Sequence, residues 1–131
     1  MSGNKSDMRT PLAKVRGLGS AREGTRHFWR QRLTAIANIP LILFFVGFLI
    51  ALNGADHAHV RAALANPFVA LVMALVLISG LTHMRLGMQA IIEDYVHGEG
   101  MKLALIALNT FFTIAVGVAS IFALLKLAFG G

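Results

Sequence analysis

Seven residues in one stretch of an otherwise apolar chain could do chemistry: His83, Arg85, Gly87, Gln89, Glu93, Asp94 and Tyr95. At about 100° per residue on a helix they fall into two groups. His83, Gly87 and Asp94 share one side, at offsets of four and eleven. Arg85, Gln89 and Glu93 form a second stripe at i, i+4 spacing. Tyr95 lies at the end of the stretch, about 18 Å along the axis from His83 at 1.5 Å per residue. That count puts His83 near mid-membrane and Asp94 and Tyr95 at an aqueous edge. A neutral imidazole in a helix bundle can serve as axial ligand of a b-type haem, or can be a hydrogen-bonded packing residue. Gly87, one turn from His83, lets a flat macrocycle or another helix approach, and equally suits plain packing. A phenol at the edge can donate a hydrogen bond to a ligand or anchor the helix in the headgroup belt. Arg85 can pair with a neighbour or snorkel. The remaining histidines are poorer candidates: His57 and His59 are two apart in a loop, and His27 and His97 are interfacial.

These groups must be held by membrane helices. The chain is 56% hydrophobic and only 14% charged, against roughly a quarter charged in an average soluble domain. About 20 apolar residues cross a hydrocarbon core of about 30 Å. Three segments reach that length, at about 33–52, 67–92 and 103–125. Lipid offers the backbone no partners, so each should be helical. Continuous apolar runs without two-residue alternation exclude a β-barrel. Pro40 lies early enough in the first span to kink it without abolishing it, Pro67 suits the first turn of the second, and Asn53 and Asn66 are candidate caps. The predicted fold is all-α and integral to the membrane: three transmembrane helices in a bundle, with a short N-terminal interfacial segment. Residues 1–32 form a basic tail and interfacial segment; residues 33–131 form the anchor domain.

Net charge is +6, concentrated at the front. Lys5, Arg9, Lys14, Arg16, Arg22, Arg26, Arg30 and Arg32 face only Asp7 and Glu23, and the rest of the chain balances. Ahead of apolar spans, a basic tail reads as a cytoplasmic flank rather than a nucleic-acid arm. The loop 53–66 then faces outward and the loop near 94–100 inward. Phe28 and Trp29 are placed to anchor residues 19–32 at headgroup level, with Arg26, Arg30 and Arg32 meeting lipid phosphates. The first 18 residues are expected to run extended over a partner or to be disordered. Asp7 and Glu23 argue against an acidic-poor transit peptide, so the expected setting is a bacterial inner membrane in preference to a mitochondrial one. The absence of cysteine excludes disulfides, thiol nucleophiles and iron–sulfur ligation by this chain. No glycine motif for nucleotides is present.

The run His83-x-x-x-Gly87 with Asp94-Tyr95-Val96 resembles the haem-and-quinone segment of the smaller hydrophobic membrane anchor of succinate dehydrogenase, the cytochrome b-type anchor of respiratory complex II. Gly24-x-x-x-Phe28 followed by Arg32-x-Thr34-Ala35 is similar to the segment leading into that anchor's first helix. Asp94-Tyr95-Val96-His97-Gly98 resembles the mitochondrial form. The resemblance covers about residues 20–130; the Arg85–Gln89–Glu93 stripe departs from it. It implies that His83 is one axial ligand of a haem b, with the second histidine on the larger cytochrome b anchor subunit. It implies that Tyr95 donates a hydrogen bond to a ubiquinone carbonyl and that Asp94 supports that site. It makes Arg32 a candidate contact for a haem propionate. It further implies an electron-transfer anchor with no succinate chemistry of its own, docked to iron–sulfur and flavoprotein subunits and bathed in membrane lipid. From the residues alone two other readings stand beside it: a small transporter or channel subunit lined by His83, Arg85 and Gln89, and a cofactor-free assembly factor. Against the transporter, no pair of broken helices is evident.

Overall fold

The computed structural model describes residues 10–12 and 22–130. Most of the tail, including Lys5, Asp7, Arg9, Lys14 and Arg16, lies outside the described residues, and so does the expectation made for it. Four helices follow in order: α1 (Arg22–Ala51), α2 (His57–Ala65), α3 (Pro67–Tyr95) and α4 (Glu99–Ala128). Among the described residues there is no strand. Three of the helices, α1, α3 and α4, are long and apolar enough to cross a membrane. Each is longer than its apolar run, at about 43–45 Å of axis against a core of about 30 Å. The helices therefore extend into the headgroup regions, where their polar ends lie.

The first turns of α1 carry the interfacial residues, and the helix is continuous across Arg32 and Leu33 and through Pro40. Proline removes one donor from the ladder, yet this long apolar segment stays helical because unsatisfied backbone in lipid would cost more.

The loop expected at 53–66 contains a helix of its own. Gly54, at φ 79°, turns the chain after α1, a left-handed conformation glycine adopts without a Cβ penalty. The Asp56 side chain then accepts from the His59 amide at 2.9 Å and caps α2. At the other end Asn66 serves two helices. Its own N–H closes α2 on the Ala63 carbonyl, and its Oδ1 accepts from the Phe68 amide at 3.0 Å to start α3. Pro67, at the first helical position of α3, needs no donor there.

Packing makes α3 the middle of the bundle. It lies against α1 on one side and α4 on the other, α2 sits across α3 and α4, and α1 and α4 do not meet. Both neighbours run antiparallel to it: Thr34 meets His83 and Gln31 meets Gly87 on the α1 side, while Asn109 meets Arg85 and Gly117 meets Leu81 on the α4 side. Among the described residues only Met73, Leu86, Ile92 and Leu124 are buried hydrophobic side chains. Large residues such as Ile36, Leu43, Phe68, Phe111 and Phe122 remain exposed. In water that surface would be prohibitive; facing acyl chains or a partner helix it carries no such penalty.

Candidate functional site

The polar side chains gather at the end of the bundle that carries the basic residues. Thr34, two residues into the apolar run of α1, holds its hydroxyl oxygen 2.9 Å from the Arg30 carbonyl, 3.0 Å from the Gln31 carbonyl and 3.0 Å from His83 Nδ1. A hydroxyl has one proton and two lone pairs. The two carbonyls can only accept. With the proton directed at them, as serine and threonine commonly do in helices, the oxygen is left to accept from an Nδ1–H. That tautomer leaves the lone pair on Nε2, which has no hydrogen-bond partner among the described residues.

The same register places two residues singled out in the sequence. Counting along α3 puts His83 near mid-membrane. Packing sets His83 level with Thr34, both near the middle of their helices. The neighbour that Gly87 admits is α1: a Cβ there would stand 3.3 Å from Gln31 Nε2.

The Arg85–Gln89–Glu93 stripe is resolved into distinct contacts. Gln89 Nε2 donates to Glu93 Oε1 at 2.9 Å, an i, i+4 pair. Asn109 of α4 donates to the Arg85 carbonyl at 3.0 Å and ties α4 to α3 at this level. Arg85 and Gln89, with Arg26, His27, Arg30 and Leu86, line a polar pocket of about 250 Å³ between α1 and α3. His27 Nε2 and Gln31 Oε1 are buried without a partner among the described residues.

Arg32 points elsewhere. Its guanidinium sits 4.8 Å from the Phe28 ring centroid, a cation–π distance. Tyr95, the last residue of α3, is 77% exposed, and Asp94 beside it is also exposed. Within the chain, then, His83 is brought to Thr34, whereas Arg32, Asp94 and Tyr95 stand apart from it and face outward. Among the described residues no three His, Asp or Glu side chains form a metal-binding group.

Thr34 as the histidine's partner and Asn109 as the α3–α4 tie were not singled out for those roles from the sequence. A polar residue inside an apolar span is the available signal, since such groups are costly unless paired.

A family model described as succinate dehydrogenase/fumarate reductase transmembrane subunit matches residues 6–123. The chain belongs to this family. Among its relatives, a succinate dehydrogenase hydrophobic membrane anchor subunit of Paracoccus denitrificans is 35% identical over 92% of the chain and 93% of the relative. One of the same description from Rickettsia bellii is 32% identical over 89% of the chain and 94% of the relative. A succinate dehydrogenase membrane anchor subunit of Reclinomonas americana is 32% identical over 66% of the chain and 75% of the relative. No solved structure matches. This member of the transmembrane subunit family is a multi-pass membrane protein, with three apolar helices long enough to cross the bilayer.

Proposed function

We propose that the chain is the smaller anchor of a succinate:quinone oxidoreductase, supplying one axial ligand of a haem b and part of a ubiquinone reduction site. It would attach the flavoprotein and iron–sulfur subunits to a bacterial inner membrane, with its N-terminus cytoplasmic. The observation that carries this reading is the Thr34–His83 bond. A ligating imidazole generally has its other ring nitrogen hydrogen-bonded, which fixes tautomer and orientation. The Thr34 hydroxyl beside His83 Nδ1 supports this reading, in which Nε2 would meet the iron. The single imidazole fits a haem whose second ligand comes from the larger cytochrome b anchor subunit. When bound, the haem supplies a one-electron carrier.

Tyr95 has the position and exposure to donate its hydroxyl to a quinone carbonyl contributed to a shared site, with Asp94 supporting it or pairing with a basic group of the partner. Reduction of quinone to quinol takes two electrons and two protons. The electrons come from a docked iron–sulfur subunit, because this chain has no cysteine to hold a cluster. The protons come from water at the membrane edge. Arg32 is the candidate for a propionate; seated on Phe28, it is outward-facing and available to a group brought by a neighbour. The chain is not an enzyme by itself in this reading.

The test is the reduced optical and electron paramagnetic resonance spectrum of the purified complex. His83→Ala should remove the low-spin haem b signal. An unchanged low-spin spectrum at an unchanged potential would exclude His83 as ligand.

A further inference from the structure

The polar pocket between α1 and α3 has no part in the haem or quinone reading, and its composition is one-sided. Arg26 and Arg30 lie one turn apart on α1, and Arg85 faces them from α3, with Gln89 one turn further along. None of the three arginines forms an ion pair among the described residues; the nearby Glu93 carboxylate accepts from Gln89. Three exposed guanidinium groups border about 250 Å³, and an anion between them would relieve their mutual repulsion. His27 lines the same pocket with a buried Nε2 that has no partner among the described residues, a further group able to donate. Fork-shaped guanidinium donors suit an oxoanion with several oxygens, which they bind in bidentate fashion.

We infer that this pocket binds the phosphate of one anionic phospholipid. Level decides the source. Arg26 and Arg30 stand one to two turns before Leu33, where the apolar run of α1 begins, so the pocket lies at headgroup depth. Leu33 continues the Arg26–Arg30 face and is 61% exposed, offering an acyl chain apolar surface directly beyond the phosphate. Trp29 and Phe28, both exposed, fix that turn at the interface. Arg32 is outside the site, turned onto Phe28. Basic pockets between membrane helices are suited to anionic headgroups, with each arginine contributing about fivefold in affinity.

The test uses the intact purified complex, exchanged into detergent and supplied with phosphatidylglycerol, phosphatidylcholine or inorganic phosphate. Native mass spectrometry and phosphorus analysis count the lipid retained. The unaltered complex should hold phosphatidylglycerol in preference to phosphatidylcholine. The double variant Arg26→Gln/Arg30→Gln should bind phosphatidylglycerol about 25-fold more weakly, with its haem spectrum intact. Arg30→Gln alone, expected at about fivefold, decides the matter if the double variant does not assemble. Equal lipid retention by the single variant and the unaltered complex overturns the proposal. So does protection by inorganic phosphate as good as by the lipid. A shifted haem potential with unchanged lipid would assign the pocket to a cofactor carboxylate, and loss of a subunit with unchanged lipid would assign it to an acidic partner; either result also overturns it. A failure of the haem assignment shows in the spectrum of His83→Ala and leaves this measurement unaffected.

Discussion

The two ends of the bundle are built on different principles. At the basic end, polar side chains cross between helices: Thr34 to His83, Asn109 to the Arg85 backbone, and three arginines around a shared pocket. At the other end the side-chain bonds of Asp56 and Asn66 are local. Asp56 and Asn66 satisfy backbone amides within a few residues, and an apolar cleft of about 260 Å³ lies between α3 and α4, bordered by Ala65, Ala70, Leu71, Leu124 and Phe129. A cap stabilises its own helix wherever the neighbours stand. A bond between helices fixes their register and sets the state of the groups it joins. The contrast teaches that bonds between helices gather at the basic end, whereas the Asp56 and Asn66 caps at the other end are local.

The comparison can be broken most sharply at Tyr95. Tyr95→Phe should lower quinone reductase activity by about 100-fold, the scale for losing one donor to a reacting oxygen, while haem content and assembly persist. Unchanged turnover would remove the phenol from the site. Next comes Thr34→Val, which deletes the hydroxyl and keeps the branched shape. Loss of an outer partner of a metal-ligating histidine costs about 10-fold or more in metal affinity or activity, so haem retention should fall and its potential should move. A fully retained haem at the original potential would show that the Thr34–His83 bond only packs the helices.

At the opposite end, Asp56→Ala should cost about 1 kcal/mol through loss of the α2 cap, read as a lower thermal midpoint of the complex with an identical haem spectrum. A spectral change would contradict the separation of the two ends. The smallest effect is expected for Gly87→Ala. The added methyl meets only the flexible amide of Gln31 at 3.3 Å, and alanine is about 1 kcal/mol better than glycine in a helix interior. Stability should change by less than about 1 kcal/mol, with haem unaffected; loss of haem would mean that Gly87 faces the macrocycle after all.

Much of the fold was legible in the residues. Three apolar runs of bilayer length need no tertiary information to be read as helices, since each satisfies its own backbone. Pro67 and Asn66 mark the start of α3 for equally local reasons. The helix α2 was missed because it has only nine residues, largely alanine and histidine, and its apolar stripe is one short turn, Val60, Ala63 and Leu64. Of the site, His83, Asp94 and Tyr95 stood out as polar or ionisable groups on an apolar helix. The partners did not: Thr34 is one hydroxyl in another span, forty-nine positions away from His83.

The sequence by itself determined that this is a membrane bundle, which helix carries the ionisable groups, and which end is basic, because hydropathy and charge are sums over local residues. Tertiary structure alone decided the register of α1 against α3. Spacing along one helix cannot say which turn of a neighbour lies beside it; side-chain packing and hydrogen bonds between the two must do that. That register gave His83 Nδ1 to Thr34, turned Gly87 toward Gln31 and drew Arg26 and Arg30 to Arg85.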